Sequence, residues 1–536
     1  MDNRLTPFWT VQDDRMIEAA LRAGAGRRDL MRMLVGGGLA AASAGAILGR
    51  AKGAHAATPT YGGHIVAAGF TSSTADTLDP AKASESTDYV RCCAFYNRLT
   101  VLDEHGITQM ELAESIASKD AKTWTIKLRR GVTFHDGHSL TSADVVFSLK
   151  RHLDPSVGSK VATLAKQMQQ ITAVDPQTVQ IVLAGPNADL PTILAMFQFM
   201  IVADGTTDFS KGNGTGAFVC KEFTPGVRSI GVKFKNYWKE GRPYLDSFEF
   251  IAISENTART NALLAGNVQL AGNLDPRAVQ LIKRQPGYHA SVTTSGSYTD
   301  LIMRLDMPPG NKADFVTAMK YLMDRDVIKN DVRRGLAVIA NDQPISPASR
   351  YYNANLKPKA FDPDRAKFLF KKSGFLGQRI PVVTSEAADS GVEMAIVLQQ
   401  SAADIGLTLD VQRKPADGYW SEYWMKSPIS FGNINARPTP DILFSLFYAS
   451  TAPWNESRYR SPKFDSMMVE ARGMLDEAKR TEIYHEMQVM ISEQAGTAIP
   501  VWLSNVDGVS DKLHGLRPNP LGGMMGYAFA EHVWLS

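Results

Sequence analysis

Along this chain the apolar positions change period, from every second residue to every third or fourth and back. Trp124-Thr125-Ile126-Lys127-Leu128 alternates apolar with polar and predicts a strand. Thr141 followed by Asp144 at the third position is a capping-box pattern. Val146, Leu149 and Leu153 then share one helical face, and Asp154-Pro155 ends the run. Val179 to Leu183 predicts a second strand. Phe248 to Ile253 predicts a third, running into a helix capped by Ser254 and stopped by Gly266.

The second half is richer in helical spacing. Phe315, Met319 and Leu322 lie on one face, and Asp362-Pro363 starts another helix with a proline whose missing donor costs nothing in a first turn. Ala395, Gln399 and Ala403 lead through Gly406 into the strand pattern of Leu407, Leu409 and Val411. Ser461-Pro462 opens a further helix, and Ile483, Met487, Met490 and Ile491 form one apolar stripe. Strands connected by helices predict an α/β layered fold.

The first 56 residues read differently. Arg27-Arg28 precedes an uncharged run from Met33 to Gly49, followed by Arg50, Lys52 and the small-x-small exit Ala54-His55-Ala56. A basic patch, a weakly apolar run and such an exit predict a cleaved export signal over residues 1–56. The paired arginines suit the twin-arginine route, although Gly26 and Leu30 stand where Ser and Phe are usual in such signals. The alternative, a membrane anchor, is opposed by a glycine-diluted run just short of spanning length. These residues contain no cysteine for a lipid-anchored processing site, so the product is expected free in the periplasm.

With that segment removed, about 480 residues remain, more than one hydrophobic core usually covers, so two or more lobes are expected. The basic excess of the whole chain, 58 Lys and Arg against 55 Asp and Glu, lies largely in the first 56 residues. The near-neutral remainder gives no support for nucleic acid as a partner. The only cysteines are Cys92, Cys93 and Cys220, so at most one bridge to Cys220 can form. The core must be held by packing.

No local pattern carries catalytic machinery. His135-x-x-His138 is the one close histidine pair, and it has neither a neighbouring cysteine nor the helical His-Glu-x-x-His arrangement of a zinc protease. Gly212-Asn213-Gly214-Thr215-Gly216 lacks the Lys-Ser/Thr ending of a phosphate loop and leads into a strand-like Ala217-Phe218-Val219, so it reads as a tight turn. The expectation is a binder with no catalytic residues, no metal and no cofactor.

A ligand would find its richest lining between Tyr419 and Trp454. Trp420, Trp424 and Trp454 supply rigid apolar area, Asn435 an amide, Arg437 a guanidinium suited to a carboxylate, and Asp441 an acceptor for an ammonium. The competing reading is structural: Trp420 and Trp424 are four apart and pack as one helical face, and Arg437 and Asp441 are four apart and pair with each other. A second strip follows the mature start, where Tyr61-Gly62-Gly63 precedes the apolar run Ile65 to Ala68 and then Phe70, with Tyr89 in the next segment.

Four stretches resemble the extracytoplasmic solute-binding proteins of ABC importers, in the class that serves oligopeptides, dipeptides and nickel (family 5). The first comprises Leu112 to Ser115, Trp124 to Arg129, Gly131 to Gly137 and Leu140 to Leu149. The others are Gly214 to Phe218 with Asn236-Tyr237-Trp238, Ala318 to Arg325, and Phe361 to Ala366 with Gln399 to Gly406. Ala217 departs from the pattern, which frequently has Pro there.

The resemblance implies an α/β, two-lobed periplasmic binding protein fold with an additional subdomain in the first lobe. Residues 57–302 would form lobe I, including a subdomain at about 86–210. Residues 303–500 would form lobe II, and 501–536 would return to lobe I. It further implies a monomer that delivers a peptide or peptide-like solute to an inner-membrane permease and its ATPase. Phe431-Gly432-Asn433 lacks the Trp and the immediate Asp with which peptide binders of the family meet a ligand amino terminus. Arg437-Pro438-x-Pro440-Asp441 resembles a variant among relatives for opines and other small polar solutes. A carboxylate-bearing ligand or a metal chelate is therefore the alternative within the class, and a chaperone, a sensor or a secreted hydrolase is the alternative outside it. Hinges are expected near Leu301–Leu305 and Pro500–Leu503, where strand-like runs join differently patterned regions.

Overall fold

The computed structural model describes residues 58–536 apart from 71–73, 105, 416 and 417, so the export signal expected over 1–56 lies outside the described residues. Thr60–Ser536 forms one compact unit. Its backbone is a 12-stranded mixed sheet centred on two long antiparallel strands, Tyr288–Met303 and Val501–Ser510. Beyond Val501–Ser510 come Leu270–Ala271, His64–Gly69, Ser247–Ala252, Arg228–Lys233 and Phe218–Thr224. On the far side of Tyr288–Met303 come Ile429–Ile434, Arg379–Ser385 and Thr408–Lys414.

The two long strands belong to both halves of the sheet. Tyr288–Thr294 pairs with Ser504–Ser510, after which the register shifts, and Tyr298 resumes opposite Trp502. Residues 295–297 carry that irregularity. It lies upstream of the expected hinge at Leu301–Leu305, while on the partner strand it falls at Leu503, within the segment expected at Pro500–Leu503. Leu301 and Ile302 are committed to ladders on both sides, with Ser430–Phe431 and with Thr497–Ala498.

A separate antiparallel sheet of four strands, Ala113–Ser118, Thr123–Leu128, Thr178–Leu183 and Met168–Asp175, falls within 86–210. The alternation read from sequence is physical here: Trp124, Ile126 and Leu128 are buried while Thr125 and Lys127 are exposed. The helix Ser142–Arg151 packs on this sheet and begins with a capping box in which Thr141 and Asp144 satisfy each other's backbone donors. Its buried positions are Ser142, Asp144, Val145, Ser148 and Leu149; the helix stops at Arg151, so Leu153 is not on that face and is exposed.

Other boundaries follow their caps. Glu255, rather than the expected Ser254, caps Asn256–Leu264, its carboxylate accepting from the amides of Thr257 and Ala258. Asp362 and Ser461 cap Pro363–Ser373 and Pro462–Gly473. One core gathers Ile65, Phe95, Phe218, Phe248 and Phe250 in the first half of the sheet. Another gathers Phe315, Met319, Phe370, Leu398 and Phe431 in the second. Cys92, Cys93 and Cys220 are all free thiols, so the bridge left open by the sequence is not made.

Candidate functional site

A cleft of about 300 Å³ opens beside the register break. Its walls are the segments leaving the carboxyl ends of parallel strands in both halves of the sheet, where open α/β sheets place their ligands. From the first half come Gly69 and Phe70 after His64–Gly69, Asn256 after Ser247–Ala252, and Asn273 to Pro276 after Leu270–Ala271. From the second come Asp389 after Arg379–Ser385 and Asn435 after Ile429–Ile434. Ser297 and Ser504 line the break itself.

The cleft's third side is the loop Leu521 to Tyr527. Met524, Met525 and Tyr527 adopt φ of +52°, +60° and +69°, a left-handed backbone that costs each non-glycine residue roughly 1 kcal/mol. Asp507 pins this loop: its carboxylate accepts from the amide of Met524 at 2.5 Å and from that of Asn273 at 3.2 Å. Burial pushes the Asp507 carboxyl up to about 6 despite those donors. Tyr527 meets Tyr89 at a tilt and Phe197 edge-on, at centroid separations of 5.5 and 5.3 Å, while Tyr89 and Phe197 stack 4.7 Å apart.

Two guanidinium groups give the site its charge. Arg437 lines a smaller cavity of about 50 Å³ that shares Leu521 with the main cleft. It donates to the carbonyls of Asn435 and Ala436 at 3.2 Å and lies 5.9 Å from the Phe447 ring centroid. Among the described residues it has no acidic partner. Burial lowers its pKa, with Tyr89, Tyr298 and Tyr527 opposing. Arg333, only 3 % exposed, donates to the carboxylate of Asp389 at 2.8 Å and to the Ser390 hydroxyl at 2.9 Å. Its Nε is buried without a hydrogen-bond partner among the described residues.

Of the residues singled out from sequence, Phe70 and Asn435 line the main cleft and Arg437 the adjoining cavity. Tyr89 stands in the aromatic trio, donating to the Ser84 carbonyl and accepting from Gln198. Asp441 is placed elsewhere: it is 2 % exposed and paired with Arg472 at 2.9 Å rather than with Arg437. Trp420 and Trp424 meet edge to face at 5.5 Å, and Trp424 donates to Glu456 at 2.6 Å. Trp454 packs 5.4 Å from Phe447. None of these four lines either cavity. Sequence reasoning missed Arg333, Asp389, Asn273 and Tyr527; the one available signal for the last was the glycine-rich run Gly522-Gly523-Met524-Met525-Gly526.

Residues 108–456 match the family model described as bacterial extracellular solute-binding proteins, family 5 Middle. The chain belongs to this family. Among curated relatives of this family-5 protein, the glutathione-binding protein GsiB of Escherichia coli K12 is 25% identical over 438 residues, covering 78% of this chain and 85% of the relative. GsiB of Pectobacterium atrosepticum is 26% identical over 512 residues, covering 91% and 96%. Among solved structures, the periplasmic binding protein DppA of Helicobacter pylori in complex with the peptide STSA superposes with a TM-score of 0.75 at 23% identity, covering 89% of this chain and 98% of that one. AgaA from Agrobacterium (A.tumefacien R10) with agropinic acid gives 0.74 at 22%, covering 88% and 99%. The two-lobed α/β fold of the family-5 proteins is thus this chain's fold. Among the described residues no helix is long and apolar enough to cross a membrane.

Proposed function

We propose that the protein is the periplasmic solute-binding component of an ABC importer. It captures a peptide or small peptide-like solute bearing a carboxylate, and delivers it unaltered to an inner-membrane permease and its ATPase. The observation that carries the reading is the cleft at the register break, walled by strand ends from both halves of one sheet. A solute touching both walls stabilises the closed arrangement over the open one by the contacts that only closure completes. Arg437, without an acidic partner among the described residues, supplies a charge that a carboxylate answers. The peptide, glutathione and agropinic acid named for the relatives and structural neighbours all carry carboxylates, in line with this choice.

The test couples two measurements on the purified protein. Small molecules released by denaturation are identified by mass spectrometry, then added back while the radius of gyration is followed by X-ray scattering. The expected result is a smaller radius with the recovered solute and no new product after prolonged incubation. An unchanged radius with every recovered compound, or conversion of the solute, refutes the reading.

A further inference from the structure

We infer that two facing turns form an electrostatic clasp that draws the halves of the sheet together over the cleft. Asp275 answers Arg333 inside the cleft, and Arg277 answers Glu393 and Glu386 at its rim. This rests on the binding role proposed above and adds a control on closure: the protein's own charges, and so the ionic strength around it, bias the open–closed balance before any solute arrives.

Three observations carry it. The first is position. In the first half of the sheet, residues 272–277 leave the carboxyl end of Leu270–Ala271 and bring Asp275 into the cleft wall. Arg259 holds this turn by donating to the carbonyls of Gly272 and Asn273 at 2.9 and 2.7 Å, and the Asp275 amide donates to Asn256 at 2.9 Å. In the second half, residues 386–393 leave the carboxyl end of Arg379–Ser385, and Asp389 lines the same cleft. Thr299 of the long strand donates to the Asp389 carbonyl at 2.6 Å, and Arg333 donates to its carboxylate at 2.8 Å. Both turns are braced from behind and open onto one space.

The second is charge. Residues 386–393 carry Glu386, Asp389 and Glu393 and no basic residue. Glu386 pairs with Arg413 at 2.9 Å and Asp389 with Arg333, whereas the exposed Glu393 has no ion-pair partner among the described residues. On the facing turn Arg277 is 74% exposed, and its carboxylate partner, Asp275 at 2.6 Å, belongs to its own turn. Among the described residues no ion pair joins the two turns. The clasp is set but not fastened.

The third is that each turn already feels the other. Asp275 is held below its ordinary range first by the hydrogen bond from Arg277, with burial opposing, and Arg333 on the other wall adds to the lowering. Arg277 is raised first by its hydrogen bond to Asp275, with burial again opposing, and Glu393 and Glu386 add to the raising from across the opening. Every one of these cross-cleft contributions is attractive, so each strengthens as the walls approach. An exposed pair shifts an open–closed balance by about two- to fivefold, enough to matter where the two forms lie close in free energy.

The test counts closed and open molecules by single-molecule energy transfer. Dyes are placed on the exposed positions Gln285→Cys and Gln400→Cys, one on each half, in protein stripped of small molecules by dialysis against mild denaturant. Sodium chloride is raised from about 20 to about 500 mM, which cuts the Debye length from about 20 to about 4 Å. The closed-to-open ratio is expected to fall about fivefold over that range. Neither Arg277 nor Glu393 lines either cavity, so both can be changed without altering the walls a solute meets. Arg277→Glu and Glu393→Arg, each with an unchanged melting temperature, are expected to lower the low-salt ratio about fivefold and to lose the salt response, and the double variant to recover both. A ratio that ignores salt, single variants as closed as wild type at low salt, or a double variant no better than either single one overturns the inference. The solute separates the two levels: closure on a recovered compound with a salt-indifferent solute-free ratio keeps the binding role and removes the clasp, whereas no closure on any recovered compound removes the binding role itself.

Discussion

Asp300 and Glu456 form a buried acid pair whose titration is the sharpest handle on this fold. Asp300 stands on the long strand Tyr288–Met303 opposite Gly432 and is 0 % exposed, with the Glu456 carboxyl as its side-chain hydrogen-bond partner. A Cβ placed on Gly432 would lie 2.6 Å from an oxygen of each acid, so glycine is what lets the strand pass over the pair. Burial pushes the Asp300 carboxyl from 3.8 to about 7. Burial and the neighbouring Asp300 charge push Glu456 well above its ordinary value. Both shifts favour the protonated form in the folded state, so the pair shares a proton that the unfolded chain gives up at lower pH.

The sign is the reverse of the usual carboxylate case. Between pH 3.8 and about 7 the native state binds more protons than the unfolded chain, so stability falls as pH rises through that window. For Asp300 alone the loss from pH 5 to pH 7.5 is about 2–3 kcal/mol, or a few degrees in melting temperature for a chain of this size. Asp300→Asn keeps the shape and replaces the shared proton with an amide donor to Glu456. Calorimetric melting at both pH values is the assay, and the change between them is compared in wild type and variant. Asp507 falls in the same direction, with its carboxyl at about 6, but is common to both proteins and cancels. The variant is expected to match wild type at pH 5 and to exceed it by about 2 kcal/mol at pH 7.5. An equal offset at both pH values, or a variant less stable at pH 7.5, refutes the shared-proton account.

Other outcomes rest on single contacts. Arg437→Ala should weaken solute affinity by about tenfold or more in calorimetry while leaving the melting temperature within about 1–2 °C, because its protein partners are two carbonyls and a ring. Arg480→Met removes a buried cation paired with Asp189 at 2.9 Å and should cost about 3 kcal/mol or more in denaturant unfolding, since it strands that carboxylate in the core. Burial raises the Cys92 thiol and pushes those of Cys93 and Cys220 up to about 11. At pH 8 a thiol reagent should therefore react slowly with native protein and release all three free thiols on denaturation.

Local signals were legible in sequence where one segment decides its own structure. The Trp124–Leu128 alternation, the Thr141–Asp144 capping box and the caps at Asp362 and Ser461 need only neighbours a few residues away. The site was legible only in part. Asn435, Arg437 and Phe70 were named from residue type and reach the cavities. Trp420, Trp424 and Trp454 had equally suitable chemistry, but composition does not encode which side of a loop meets the cleft, and they pack on Tyr419 and Phe447 instead. Arg333 and Asp389, 56 residues apart, carry no motif; only the fold brings them together. Likewise, the strand-like run at Leu301–Leu305 does not reveal in sequence the two-sided pairing that fixes Leu301 and Ile302.

The late strand Val501–Ser510 also sets the order of assembly. It pairs with Leu270–Ala271 and with Tyr288–Thr294, so the first half of the sheet stays unfinished until nearly the whole polypeptide has left the ribosome. Until then those earlier strands present bare edges, and closing the ladder requires contacts more than 200 residues apart, such as His289 with Asp511. High contact order of this kind makes for slow maturation and a need for holding factors during synthesis. Truncation from the carboxyl end should therefore disable both halves at once, not merely shorten one.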